Sequence, residues 1–109
     1  MLRFLMGATV AVILISPAQA GADDPVPARQ TELLYLLEQD CGSCHGLTRR
    51  GGLGPSLLPK DIVDKPDEGL VDAILQGRPG TPMGPWAFEI SEEEAFWLVR
   101  QLRIGKAPK

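Results

Sequence analysis

The sequence predicts an all-α domain of about three to four helices, and three observations predict it. Apolar residues recur at helical spacing around residues 33–37, 70–75 and 95–102, while no alternating β-branched run reads as a strand. The stretches between them are dense in glycine and proline, which forbid regular structure. Finally, Cys41-Gly42-Ser43-Cys44-His45 sets two thiols and an imidazole within five residues. This C-x-x-C-H pattern is the attachment signature of a c-type haem.

The chemistry of that signature explains its spacing. Each thiol adds across a vinyl group of the porphyrin, and the gap of two residues matches neighbouring ring edges. His45 follows Cys41 by four positions, so one helical turn carries the imidazole under the iron. A structural zinc site would need four N/S ligands, and past residue 20 only Cys41, Cys44 and His45 are Cys or His. The competing reading is a redox dithiol, which expects a βαβ setting that the pattern does not supply. Two cysteines consumed as thioethers leave none for a disulfide.

The chain then reads in order. Arg3, the apolar run 4–15, the break at Ser16-Pro17 and Ala18-Gln19-Ala20 predict a cleaved secretory signal peptide over residues 1–20. An uncleaved anchor is the alternative, but a span needs about 20 apolar residues. Export places the protein in the periplasm, with no membrane span after cleavage. Removing Arg3 takes the formal charge from −3 to −4. Without a basic stripe, a nucleic-acid partner is excluded. Residues 21–28 read as a flexible leader, 29–105 as one haem-binding domain and 106–109 as a polar tail.

The first helix is expected over about 29–40, with Leu33, Leu34, Leu36 and Leu37 on its apolar face and Tyr35 packed in the core. It feeds the haem motif, and Gly46 can stop it. Residues 47–59 form a Gly/Pro-rich loop that wraps closely around something. Of Arg49 and Arg50 at its start, at least one reads as a solvated edge, and the sharper alternative is the haem rim. A helical turn is expected over 60–64. In the next helix Pro66 takes the first position, Asp67 and Glu68 complement the dipole, and Leu70, Val71, Ile74 and Leu75 form the buried stripe up to Gly77. Residues 78–86 then make a stiff loop of three prolines and two glycines around Met83. Ser91 and Glu94 announce the last helix as a capping box. Ala95, Leu98, Val99 and Leu102 give it one apolar face, Phe96 and Trp97 widen that face, and Gly105 ends it.

An iron held by His45 has one face left. With a single His in the chain and Met1 and Met6 in the signal, Met83 is the available thioether and the expected second axial ligand. Lys60 or Lys65 would compete only as neutral amines, against an ordinary pKa of about 10.4. His/Met ligation raises the reduction potential and leaves no open position. Outer-sphere electron transfer follows, and enzymatic chemistry at the iron does not.

These residues resemble a class I cytochrome c. The helix before C-x-x-C-H, the Gly54-Pro55 pair, the proline-flanked Met83 and the C-terminal helix all have counterparts in that family. The resemblance implies the small class I cytochrome c fold around one covalent haem c. It also implies that the Pro55 carbonyl accepts the ring N–H of His45. Cys44-His45-Gly46, then Gly51-Gly52-Leu53-Gly54-Pro55-Ser56 and Gly77-Arg78-Pro79-Gly80-Thr81-Pro82-Met83-Gly84-Pro85-Trp86, are similar to the NirC family of small periplasmic cytochromes. That similarity implies electron donation to the cytochrome cd-type nitrite reductase of denitrification, fed by an upstream quinol-linked donor. The alternative it carries is redox or assembly support of d-type haem maturation. Trp86, Trp97, Leu53, Leu57 and Leu98 are the expected pocket wall.

Overall fold

The computed structural model describes residues 10–14 and 24–105. The expected cleavage site, residues 21–23 of the leader and the 106–109 tail lie outside the described residues. Among the described residues there is no strand, and no helix is long and apolar enough to cross a membrane. The all-α expectation is borne out.

Helix α1 (Pro27–Leu36) begins two residues before the expected start, because Pro27 occupies the first helical turn with its preset φ. A π-helical turn, Leu37–Cys41, follows without a break and runs into α2 (Gly42–His45). The rod is therefore continuous to the haem motif, and Gly46 (φ 87°) ends it as expected. Compared with a continued α-helix, the wide turn accommodates an extra residue. It rotates everything after it by about 100° on the helical wheel. Leu33, Leu36 and Leu37 are buried at i, i+3, i+4, whereas Leu34 is 41% and Tyr35 67% exposed. Both side chains lie a step off the inward face, so the core role expected for Tyr35 is corrected.

After the loop, α3 spans Pro59–Ile62 in place of the expected 60–64, and α4 spans Asp67–Gln76. Pro66 is the N-cap of α4 and not its first helical residue. Val71 is fully buried, while Leu70, Ile74 and Leu75 are half-buried against the core.

Helix α5 (Glu92–Ile104) is the central element and buries Ala95, Trp97, Leu98, Val99 and Leu102 against α1, α3 and α4. An arginine secures each end of it. Arg29 of α1 donates to the Glu94 carboxylate, to Glu32 (2.9 Å) and to the Glu89 carbonyl (2.8 Å). The same Glu94 accepts the Ser91 N–H at 2.9 Å, and Ser91 Oγ accepts the Glu94 N–H at 3.2 Å, completing the capping box. At the far end Arg103 donates to Asp67 (2.7 Å) and to the carbonyls of Ile62 (3.1 Å) and Lys65 (2.6 Å). Three elements meet there through one guanidinium.

The Arg29 hydrogen bond, ahead of the backbone contribution of Ser91, holds the Glu94 carboxyl below its ordinary value of 4.5. A depressed carboxylate stabilises the fold above its unfolded pKa, and that stability is lost as pH falls through the folded value. Glu94→Gln keeps the cap but removes the charge. We expect a loss of about 1–2 kcal/mol at pH 7 in urea unfolding, shrinking toward zero near pH 3. An equal loss at both pH values contradicts the ion pair.

Candidate haem site

His45 stands on the last turn of α2, where the final carbonyls have no helical partner. The glycine-rich loop folds back to supply them. Gly51 N–H donates to the His45 carbonyl and Gly54 N–H to that of Cys44, both at 2.8 Å. This return brings the Pro55 carbonyl to 2.7 Å from His45 Nδ1. A carbonyl only accepts, so the proton sits on Nδ1 and the lone pair is on Nε2, free for a metal. Gly54 makes the close approach possible. A Cβ there would lie 2.8 Å from His45 Cε1 and 2.9 Å from Nδ1.

Cys41 and Cys44 are both half-buried and not joined in a disulfide. Burial, then the charge of Asp40, pushes the Cys41 thiol up to about 11. A thiol-exchange site needs the reverse, a depressed pKa. The raised Cys41 thiol therefore runs against the redox-dithiol reading.

Met83 is held by a second backbone device. Gly77 ends α4 at φ 71°, and a Cβ there would meet the Met83 carbonyl oxygen at 2.6 Å. Arg78 N–H donates to that same carbonyl at 2.9 Å, while Thr81 donates through N–H (3.1 Å) and Oγ1 (2.6 Å) to the Arg78 carbonyl. Trp86 and Ala87 N–H groups then bond the Ile74 and Leu75 carbonyls at 2.9 and 3.2 Å. The loop is thus closed on itself between Arg78 and Met83 and clipped to the end of α4 at Trp86 and Ala87.

These two devices border one cavity of about 870 Å³. Cys41, Cys44, His45, Pro55, Met83 and Trp86 all line it, and Leu57, Ile62, Leu70, Ile74 and Leu98 supply apolar wall. The volume lies within the roughly 300–1,000 Å³ of cofactor sites. A tetrapyrrole fits this site on three counts: an apolar interior, two thiols on one wall, and imidazole and thioether donors on the same cavity.

Of the expected wall residues, Trp97 is corrected. It is 5% exposed but buried in the helical core, away from the cavity, because α5 turns Leu98 and Leu102 toward it. Leu53 lines the cavity but remains 75% exposed. Among the wall residues that the sequence reading did not assign there are one aromatic and two cations in the loops, Phe88, Lys65 and Arg78. Phe88 stacks on Trp86 (centroids 5.6 Å apart, 22° between planes) and is 78% exposed. Lys65 and Arg78 are the cations on the wall, and among the described residues neither side chain forms an ion pair. No periodicity marks these positions, since all three lie in irregular segments.

Comparison with known proteins places this geometry. The family model for subunit III of cbb3-type cytochrome c oxidase matches residues 28–100. Cytochrome c55X of Pseudomonas aeruginosa is 50% identical over 98 residues, 89% of this chain and 82% of that protein. The solved structure of a c-type cytochrome NirC is 54% identical, with a TM-score of 0.75, and covers 77% of this chain and all of its own. A dihydro-heme d1 dehydrogenase of Pseudomonas aeruginosa is 37% identical over 98 residues, which are 90% of this chain but 18% of that protein.

The crowding at Gly54 yields a contrast with Gly69, where an added Cβ meets nothing within 4 Å. Gly54→Ala should cost about 1–3 kcal/mol in denaturant unfolding by forcing the imidazole aside. Gly69→Ala, on α4, should gain roughly 0.5 kcal/mol from helix propensity. Equal effects at the two sites would contradict the close packing of the loop on His45.

Proposed function

The chain belongs to the c-type cytochromes, among relatives named cytochrome c55X and NirC, and from that premise we propose that it is a periplasmic one-electron carrier supplying a cytochrome cd-type nitrite reductase. Its cofactor is one covalently bound haem c, which supplies the one-electron couple. In this reading Cys41 and Cys44 anchor the macrocycle, and His45 Nε2 and Met83 Sδ hold the iron. The observation that carries it is the commitment of the His45 Nδ1 proton to the Pro55 carbonyl at 2.7 Å, which leaves Nε2 as the donor on the cavity wall. Lys65 and Arg78, the cations on the cavity wall, would be available to the carboxylates of the haem, and Trp86 lines the same cavity as Met83.

Two protein ligands on one iron leave no coordination position for a substrate, so this chain moves electrons and performs no chemistry at the metal. A quinol-linked donor is the upstream partner. Nothing in the charge distribution calls for strong steering, since the chain carries only −3 formal charge and Arg29, Lys60, Arg100 and Arg103 are paired internally. A small apolar contact that dissociates quickly suits such transfer. Export through the leader places carrier and reductase in one compartment.

A second reading rests on the similarity to a dihydro-heme d1 dehydrogenase over 90% of this chain. In it the protein takes electrons from, or supports, the maturation of a d-type haem. Stopped-flow mixing of reduced protein with assembled nitrite reductase separates the two. Fast, nitrite-dependent oxidation supports the carrier. Negligible transfer, with a reductase lacking its d-type haem in cells without this protein, replaces it by the maturation role.

Ligation has its own test. Met83→Ala should lower the midpoint potential and let carbon monoxide bind the ferrous protein readily. A parental potential with no gain in carbon monoxide binding removes Met83 from the ligand set.

A further inference from the structure

Arg49 is the one non-glycine residue with a left-handed backbone among the described residues, at φ 63°. Glycine adopts that conformation freely, and an L side chain is strained in it. The neighbouring loop already uses glycine at such positions, in Gly46 (φ 87°) and Gly51 (φ 105°). A side chain kept where glycine would sit without strain has a job. Here it is an arginine, 8% exposed, and the one buried polar or charged residue among those described.

Its surroundings say what the job concerns. The backbone of Arg49 closes the loop that aims Pro55 at His45: its N–H donates to the Gly46 carbonyl at 2.9 Å, and its carbonyl accepts the Leu57 N–H at 2.8 Å. Burial works against the charged Arg49 guanidinium, and the nearby charges of Glu38 and of Cys41, which belongs to the haem motif, work the other way. Glu38 is half-buried on the π-helical turn. Guanidinium stays charged at any working pH, so this is a fixed cation in a poorly solvated position beside a thioether anchor.

We propose that Arg49 is a positioning residue whose buried positive charge raises the reduction potential of the haem. The inference deepens the carrier reading and rests on it. Reduction adds one electron from the donor protein, takes up no proton, and lowers the charge of the iron centre by one. A nearby fixed cation favours the product of that step, and a poorly solvated one does so with little screening. Glu38 opposes it with a charge of the other sign.

The test is the midpoint potential of the haem-loaded protein with Arg49→Lys, Arg49→Gln, Arg49→Gly and Glu38→Gln, alongside each variant's denaturant midpoint. At fixed ambient potential, Arg49→Gln and Arg49→Gly should shift the reduced-to-oxidised ratio toward oxidised by roughly three- to tenfold, tenfold being 59 mV for one electron. Arg49→Lys should stay near the parent, and Glu38→Gln should move the opposite way. Arg49→Gly is the control for folding, because glycine accepts φ 63° and should keep or raise the denaturant midpoint. Parental potentials in both Arg49→Gln and Arg49→Gly overturn the proposal. So does a set of potentials that follows stability instead of charge. Failure of reductase turnover by the parent would instead sink the carrier reading, whatever these potentials are.

Discussion

The site depends on one hydrogen bond, from His45 Nδ1–H to the Pro55 carbonyl at 2.7 Å. It determines the tautomer, the ring orientation and the basicity of Nε2 together. The bond exists only because the loop after the haem motif returns to the helix end it just left. Backbone donors at Gly51 and Gly54 satisfy the carbonyls of His45 and Cys44, so closing the loop and capping the helix are the same event. Glycine at position 54 then lets the backbone lie against the imidazole face. Loop, cap and ligand orientation stand or fall together.

The helical frame serves that site by clamping its elements from both ends. Arg29 ties the start of α1 to the capping box of α5, and Arg103 ties the end of α5 to the α3–α4 junction. Between these points α5 presents Leu98 and Leu102 to the cavity and Trp97 and Val99 to the core. A domain this short has little apolar surface to bury among its own side chains, so a haem surrounded by its walls adds what the helices lack. The cofactor is as much a part of the core as it is the redox centre.

Much of this was legible in the sequence, for reasons that are local. C-x-x-C-H, the Ser91/Glu94 cap and the glycines at 46, 77 and 105 each act within a turn of chain, and they mark the attachment site and the helix ends. What could not be read depends on contacts far apart in sequence. The π-helical turn at Leu37–Cys41 leaves no period of its own, and the face that α1 turns to the core, Leu33 and Leu36, decides that Tyr35 faces water. Trp86 and Trp97 are equally apolar, and only the packing of α5 assigns one to the cavity and the other to the core. Arg49 and Arg50 are neighbours of the same type, yet the left-handed turn buries the first and exposes the second.

The account centres on His45 and Met83 sharing one iron. The most direct measurement is an NMR spectrum of the exported, reduced protein labelled at methionine methyl groups. Once the expected cleavage removes Met1 and Met6 with the leader, Met83 would supply the single signal. If its sulfur lies on the iron, the methyl sits over the porphyrin and the ring current moves its resonance far upfield, outside the range of ordinary methionines. A Met83 methyl at an ordinary position in the folded, reduced protein contradicts the account.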